Sequence, residues 1–174
     1  MYKITAEESF DSAHFLKDYD GKCANIHGHR WRVLVTAGAE ELSEKTQTRG
    51  MVLDFGDLKK ALREETEALD HLFIIEKDSL RPETKEALLA EGFRIREVSF
   101  RPTAENFSRY FFDRIRRQGY PVLEVTVFET PNNRASYSPS SEISGISGGM
   151  SGTTHDRPDG ADRNDSAVTA EKKR

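Results

Sequence analysis

Histidine carries the clearest chemical signal in the sequence. His27 and His29 are separated by Gly28, so in an extended chain both imidazoles project from the same face. Gly28 places no side chain on the opposite face and permits close approach of another backbone. His14 is the last residue of an earlier strand-like segment, and the alternation of that segment places it on the same face as the apolar residues. If the two segments pair as a hairpin, the three rings can converge. Three neutral imidazoles suit Zn²⁺ and leave a fourth position open for chemistry.

The single cysteine, Cys23, lies four residues before His27 and directly after Lys22. A neighbouring cation and a nearby metal both favour a thiolate. A thiolate at this place is either a fourth metal ligand, which would close the site, or a base that acts on a metal-bound substrate. The spacing does not separate these interpretations. One cysteine in the whole chain also excludes an internal disulfide and a multi-cysteine zinc site.

Asp70 and His71 are a second pair with catalytic potential. An adjacent carboxylate can orient an imidazole and stabilise its charged form, which makes the pair a candidate proton relay. The same residues also fit a simpler structural role, because a histidine at the end of a helix interacts favourably with the helix dipole.

Glu129 continues a strand face that is otherwise built from Leu123, Val125 and Val127. A carboxylate at the edge of buried space needs a partner. The partner is either an arginine of the protein or a ligand with two adjacent N–H donors, which a carboxylate can bind through two hydrogen bonds.

The elements that position these groups follow from the hydrophobic pattern. Apolar residues of one parity predict a first strand from Tyr2 to His14, and a second strand runs from about His27 to Ala37. Asp54 is placed to cap a helix over about 56–69, and Pro82 and Gly92 bracket a shorter helix over 83–91. Further predicted elements are an extended segment over 93–100, an amphipathic helix from Thr103 to Gly119, and a last strand over 123–129. The order predicts an α+β fold with helices on one face of an antiparallel sheet.

Composition limits the domain organisation and the class of partner. From Ser138 onward the chain is rich in Ser, Gly, Asp and Thr, which predicts a folded domain over 1–137 and a disordered polar tail over 138–174. A net charge of -4 argues against a general nucleic-acid binder. The sequence also contains no long apolar stretch for a membrane span and no secretory signal, so we expect a cytoplasmic protein.

Six ordered motifs resemble one family, that of 6-pyruvoyl-tetrahydropterin and 6-carboxytetrahydropterin synthases, and together they cover residues 1–137. The motifs are Phe10-x-x-Ala13-His14, Lys22-Cys23-x-x-x-His27-Gly28-His29, Gly50-Met51-Val52-Leu53-Asp54-Phe55, Leu69-Asp70-His71, Pro102-Thr103-Ala104-Glu105-Asn106 and Glu129-Thr130. The chain departs from the short bacterial pattern in its long connection between His71 and Pro102, which carries an inserted helix and strand.

The resemblance implies a tunnelling fold, in which a four-stranded antiparallel sheet carries two main helices on one face. Subunits of this fold assemble into a hexamer, a dimer of trimers, with active sites shared between subunits. The residue roles that the resemblance implies are zinc binding by His14, His27 and His29, catalysis by Cys23, Asp70 and His71, anchoring of the pterin ring by Glu129, and further pterin contacts by Thr103 and Glu105.

The resemblance also implies a reaction. The short spacing from Cys23 to His27 is similar to the bacterial 6-carboxytetrahydropterin synthases of queuosine biosynthesis. These enzymes convert 7,8-dihydroneopterin triphosphate to 6-carboxytetrahydropterin, acetaldehyde and triphosphate. Two alternatives stay open at this point: a 6-pyruvoyl-tetrahydropterin synthase that acts on the same substrate, and a zinc-stabilised pterin-binding oligomer without catalysis.

Overall fold

Two long antiparallel strands, β1 (Tyr2–His14) and β2 (His27–Ala39), form the centre of the sheet. Their register pairs His14 with His27 and Ser12 with His29, so the hairpin brings the histidines to one end of the sheet. The computed structural model describes residues 1–139. The predicted tail over 138–174 therefore lies, from residue 140 onward, outside the described residues.

Nine helices and strands of regular structure make up the described part of the chain. Besides β1 and β2 they are α1 (Phe55–Glu67), β3 (Leu72–Glu76), α2 (Pro82–Ala90), β4 (Ile95–Val98), α3 (Ala104–Arg117), β5 (Val122–Phe128) and β6 (Arg134–Tyr137). Two short 3-10 turns, Lys22–Ala24 and Thr46–Thr48, lie in the connections. The α+β class is confirmed. Within residues 1–139 no helix has the length and apolar character needed to span a bilayer.

The sheet is larger than the predicted four antiparallel strands. It has six strands in the order β4-β3-β1-β2-β5-β6. β3 and β4 are parallel to their neighbours, and β3 pairs with β1 at Ser12 and Ala13. A parallel pair needs a crossover connection, and α2 supplies it between β3 and β4. The long segment between His71 and Pro102 thus extends one edge of the sheet, and β6 extends the other.

The core lies between one face of the sheet and the helices α1 and α3. Phe10 and Trp31 stack beneath Phe107 and Phe111 of α3, and all four side chains are buried. The predicted N-caps are confirmed, since the Asp54 carboxylate accepts from the amide of Gly56 and the Thr103 hydroxyl accepts from the amide of Asn106. Each cap satisfies a backbone amide in the first turn of its helix and so defines where the helix begins.

The last long strand corrects one part of the predicted pattern. A register irregularity opposite Thr36 and Ala37 shifts the alternation of β5, so Val122 is buried and Leu123 is only half-buried. Val125 and Val127 lie in the core as predicted. A bulge of this kind changes which side chains face inward on one side of it.

Candidate metal centre and catalytic groups

Three histidines meet at one end of the β1–β2 hairpin. The ring centroids of His14 and His27 are 4.4 Å apart, those of His27 and His29 are 4.9 Å apart, and those of His14 and His29 are 5.2 Å apart. Trp31 lies beneath them, with its ring centroid 5.0 Å from that of His14. The predicted convergence of the imidazoles is therefore present in a single protomer.

Backbone carbonyls fix the orientation of two of these rings. Nδ1 of His14 donates to the carbonyl of Pro102 at 2.7 Å, and Nδ1 of His27 donates to the carbonyl of Asn25 at 2.8 Å. Each hydrogen bond places the proton on Nδ1 and leaves Nε2 as a lone-pair donor that points into the cluster. Orientation of a metal-binding imidazole by a carbonyl on its other nitrogen is the usual arrangement in metal sites.

Burial disfavours the charged form of two of these histidines, His14 and His29. Desolvation lowers the pKa of His14 to about 4; its hydrogen bond to Pro102 opposes this change, and the other two histidines add to it. The pKa of His29 is also lowered, chiefly by burial, although Glu129 acts in the opposite direction. Neutral imidazoles are the form that binds metal. Nε2 of both His14 and His27 is buried without a hydrogen-bond partner within residues 1–139.

Glu129 adds a carboxylate to the cluster. Its Oε1 lies 3.6 Å from Nε2 of His14 and 3.6 Å from Nε2 of His29. One ligand atom from each of the four side chains lies within 4.8 Å of all the others. Two donors of a tetrahedral zinc ion with bonds of ~2.1 Å are ~3.4 Å apart. The buried lone pairs, the donor types and these separations fit a zinc-sized ion.

The sequence indicated that Glu129 needs a partner, but not that histidines would provide it. Phe128 pairs with Arg32, so the chain continues past the end of β5 toward the histidine end of β2. The hairpin to β6 then holds Glu129 in place, because its amide donates to the carbonyl of Asn133. Only the register of β5 on β2 reveals this proximity.

Cys23 lies in the 3-10 turn between β1 and β2 and is a half-buried free thiol. Within the described residues the four-member cluster contains Glu129 and not Cys23. The composition of this cluster does not support the interpretation of Cys23 as a fourth metal ligand. The carbonyl of Cys23 accepts from the amide of Leu16, which closes the loop on itself.

Asp70 and His71 form the predicted carboxylate–imidazole pair. Nδ1 of His71 donates to Oδ2 of Asp70 at 2.7 Å, and Oδ1 of Asp70 accepts from the amide of Asp11 at 2.8 Å. The bond from Asp11 is the main reason that the pKa of Asp70 is lowered, and His71 contributes as well. The ionised carboxylate holds the proton of His71 on Nδ1 and leaves Nε2 free to exchange a proton.

This pair does not join the metal cluster within one protomer. His71 borders a cleft of about 580 Å³ whose lining includes Ser12 and His29 together with four residues of the other parity, Asp11, Ala13, Gly28 and Arg30. These four residues alternate along β1 and β2 with the strand residues of the histidine cluster, so their side chains belong to the opposite face of the sheet. Most of the strand residues that line this cleft therefore belong to the opposite face of the sheet from the cluster, and His29 borders both the cleft and the cluster.

The remaining predicted residues lie at the start of α3. The hydroxyl of Thr103 caps the helix, so at least part of its role is structural. Glu105 is in the first turn of the same helix and its side chain is exposed. Pro102, which precedes them, was not predicted as a site residue, and its carbonyl orients His14.

Comparison with known proteins places this arrangement in one family. The family model described as 6-pyruvoyl tetrahydropterin synthase matches residues 3–140. The chain belongs to the 6-pyruvoyl tetrahydropterin synthase family. The resemblance drawn from the six motifs is confirmed, and the protein is an enzyme of this family.

Relatives and solved structures agree with the family assignment. The chain is 34% identical over 141 residues to a 6-carboxy-5,6,7,8-tetrahydropterin synthase of Haemophilus influenzae, covering 79% of this chain and 99% of that protein. It is 36% identical over 126 residues to the protein of the same name from Aquifex aeolicus, covering 67% and 75%. It is also similar to the structure of Caenorhabditis elegans 6-pyruvoyl tetrahydropterin synthase, with a TM-score of 0.57, 25% identity and coverage of 80% and 96%.

Proposed function

We propose that this protein is a zinc-dependent 6-carboxytetrahydropterin synthase. Its reaction would convert 7,8-dihydroneopterin triphosphate and water to 6-carboxy-5,6,7,8-tetrahydropterin, acetaldehyde and triphosphate, a step of queuosine biosynthesis. The observation that carries the proposal is the cluster of three converging imidazoles with Cys23 in the adjoining loop. The names of the relatives from Haemophilus influenzae and Aquifex aeolicus support the choice of product.

His14, His27 and His29 would hold the metal, because their ring nitrogens converge. Burial lowers the pKa of His14 and of His29, which favours the neutral, metal-binding form of these two rings. Bound Zn²⁺ would act as a Lewis acid that polarises oxygen atoms of the substrate side chain and acidifies the neighbouring C–H bonds. Trp31 beneath the rings excludes water from that side of the site.

Cys23 and His71 would move the protons. Cys23, as a thiolate, removes and returns a proton at the side-chain carbon of the substrate. His71 exchanges the second proton through Nε2, and Asp70 keeps the other ring nitrogen protonated and the ring oriented. Because Asp70 and His71 are not part of the histidine cluster and border a cleft lined mostly by strand residues of the opposite parity, the proposal places two copies of the chain at each site. The tunnelling-fold hexamer, a dimer of trimers, supplies such a neighbour.

Glu129, Thr103 and Glu105 would bind the pterin. A carboxylate can accept from two adjacent N–H groups of the pterin ring, and Glu129 is held at the rim of the cluster by the β5–β6 hairpin. Its carboxylate lies 3.6 Å from Nε2 of His14 and of His29, so a pterin bound to Glu129 would lie beside the metal-binding residues.

A second candidate is 6-pyruvoyl-tetrahydropterin synthase activity on the same substrate, favoured by the likeness to the Caenorhabditis elegans structure. The two reactions differ in whether the substrate side chain is cleaved. The test is mass spectrometry of the pterin product from zinc-loaded protein and 7,8-dihydroneopterin triphosphate, with Cys23→Ala as the control. A carboxytetrahydropterin supports the proposal, and a pyruvoyl product favours the second candidate. A protein that binds zinc and pterin without turnover is a binding module.

A further inference from the structure

The loop that carries Cys23 connects two metal-binding residues. It spans residues 15–26, between His14 at the end of β1 and His27 at the start of β2, and we refer to it as the Cys23 loop. Its internal hydrogen bonds join Leu16 to Cys23 and Lys22 to Asn25. These bonds give the loop a shape but do not attach it to the rest of the protein, so its position depends on contacts with other elements.

Arg101 makes such a contact from the segment that precedes α3. Its guanidinium donates to the carbonyl of Lys17 at 2.5 Å and lies 5.9 Å from the centre of the Tyr19 ring. A guanidinium that donates to a carbonyl and covers an aromatic face fixes two points of the loop at once. Another attachment of this part of the loop, from Nζ of Lys17 to the carbonyl of Asp78, is exposed and uses a flexible side chain. Nearer the ends of the loop, the Phe15 ring contacts the Phe73 ring and the carbonyl of Asn25 accepts from Nδ1 of His27.

The backbone of Arg101 is itself fixed close to the metal cluster. Its carbonyl accepts from the amide of Thr103 at 2.8 Å and from Nδ2 of Asn106 at 2.9 Å. The next residue, Pro102, accepts the hydrogen bond that orients His14. One short segment therefore contacts the metal-binding ring through its backbone and the Cys23 loop through a side chain.

We propose that Arg101 is a positioning residue that holds the Cys23 loop in register with the metal-binding histidines. Arg101 donates to the carbonyl of Lys17. The preceding residue, Leu16, donates its amide to the carbonyl of Cys23, so the two hydrogen bonds link Arg101 to the backbone of Cys23. The inference rests on the proposed role of Cys23 as the base. Sequence reasoning from the six motifs did not single out Arg101, because it stands before the motif that begins at Pro102.

The test compares Arg101→Ala and Arg101→Lys with Arg117→Ala in the full-length, zinc-loaded protein. Arg117 is an exposed control whose Nε donates only to the backbone of its own helix among the contacts described for it. The measurements are the alkylation rate of Cys23 by iodoacetamide, hydrogen exchange over residues 15–26, zinc content, and kcat and KM. Loss of a hydrogen bond from a charged group corresponds to about a tenfold change in the equilibrium between the attached and the detached loop. We expect about tenfold faster alkylation and faster exchange in Arg101→Ala, a lower kcat with little change in KM, unchanged zinc content, and partial recovery in Arg101→Lys.

Each outcome decides a separate point. Unchanged alkylation and exchange in Arg101→Ala overturn the proposal, as does a mobile loop with unchanged kcat. If wild-type protein shows no turnover but the loop measurements respond as expected, the proposed function fails while the positioning of the loop stands. Tyr19→Ala removes the ring beneath the guanidinium and gives the same readouts if Arg101→Ala does not fold. In Tyr19→Ala, a smaller increase in alkylation and hydrogen exchange than that expected for Arg101→Ala supports the proposal, and unchanged rates contradict it.

Discussion

A mixture of two inactive variants tests whether the metal cluster and the relay of one active site come from different copies of the chain. Cys23→Ala removes the thiol in the loop that joins His14 to His27, and His71→Ala removes the imidazole that is paired with Asp70 outside the cluster. Each homogeneous variant lacks one group at every site, so we expect each to be inactive. In a mixed oligomer, a site is complete when Cys23 comes from a His71→Ala chain and His71 comes from a Cys23→Ala chain.

The magnitude follows from random assembly. At a 1:1 ratio each of the two required chains is present with a probability of about one half, so about 25% of the sites of a closed oligomer are complete. The variants are dissociated, mixed, reassembled and assayed for turnover per chain. A mixture of Cys23→Ala with the double variant Cys23→Ala/His71→Ala is the control and has no complete site. Activity of the first mixture near that of the control would refute the shared site.

Three further predictions concern the metal, the pterin and the core. Removal of zinc by a chelator lowers Tm, because a ligand at about 1,000 times its Kd stabilises the folded state by about 4 kcal/mol; an unchanged melting curve contradicts metal binding by the cluster. Glu129→Gln weakens binding of neopterin by about tenfold in a fluorescence titration, since the charged acceptor is lost. The variant keeps one zinc per chain, and an unchanged affinity for neopterin contradicts the anchoring role. Phe10→Ala, in the centre of the core, lowers the free energy of unfolding by about 3–5 kcal/mol in urea denaturation. The exposed Phe93→Ala serves as its control and an equal loss there contradicts the packing argument.

The parts of the fold that could be predicted from sequence are those with a strong local pattern. Alternation along β1 and β2 predicted both the hairpin and the meeting of His14 with His27 and His29, because a shared parity determines a shared face. Asp54 and Thr103 predicted the starts of α1 and α3, since capping chemistry is local.

The features that were missed depend on contacts between distant segments. The short strands β3 and β6 carry little alternation of their own, so their pairing appears only in the assembled sheet. The bulge opposite Ala37 arises between two strands and moves Val122, rather than Leu123, into the core.

The same distinction applies to the candidate site. The spacing of the histidines predicted the cluster, but the place of Glu129 beside it depends on the register of β5. The orientation of His71 depends on its left-handed backbone, with φ of 55°, and on the hydrogen bond from its amide to the carbonyl of Asp11.

The central claim is that this metal site cleaves the substrate side chain, and the release of acetaldehyde tests it most directly. Zinc-loaded protein is mixed with 7,8-dihydroneopterin triphosphate, and acetaldehyde is measured through the oxidation of NADH by added alcohol dehydrogenase. The account predicts one acetaldehyde for each carboxytetrahydropterin formed, and no release after removal of the metal or in Cys23→Ala. Consumption of the substrate without acetaldehyde would contradict the proposed reaction.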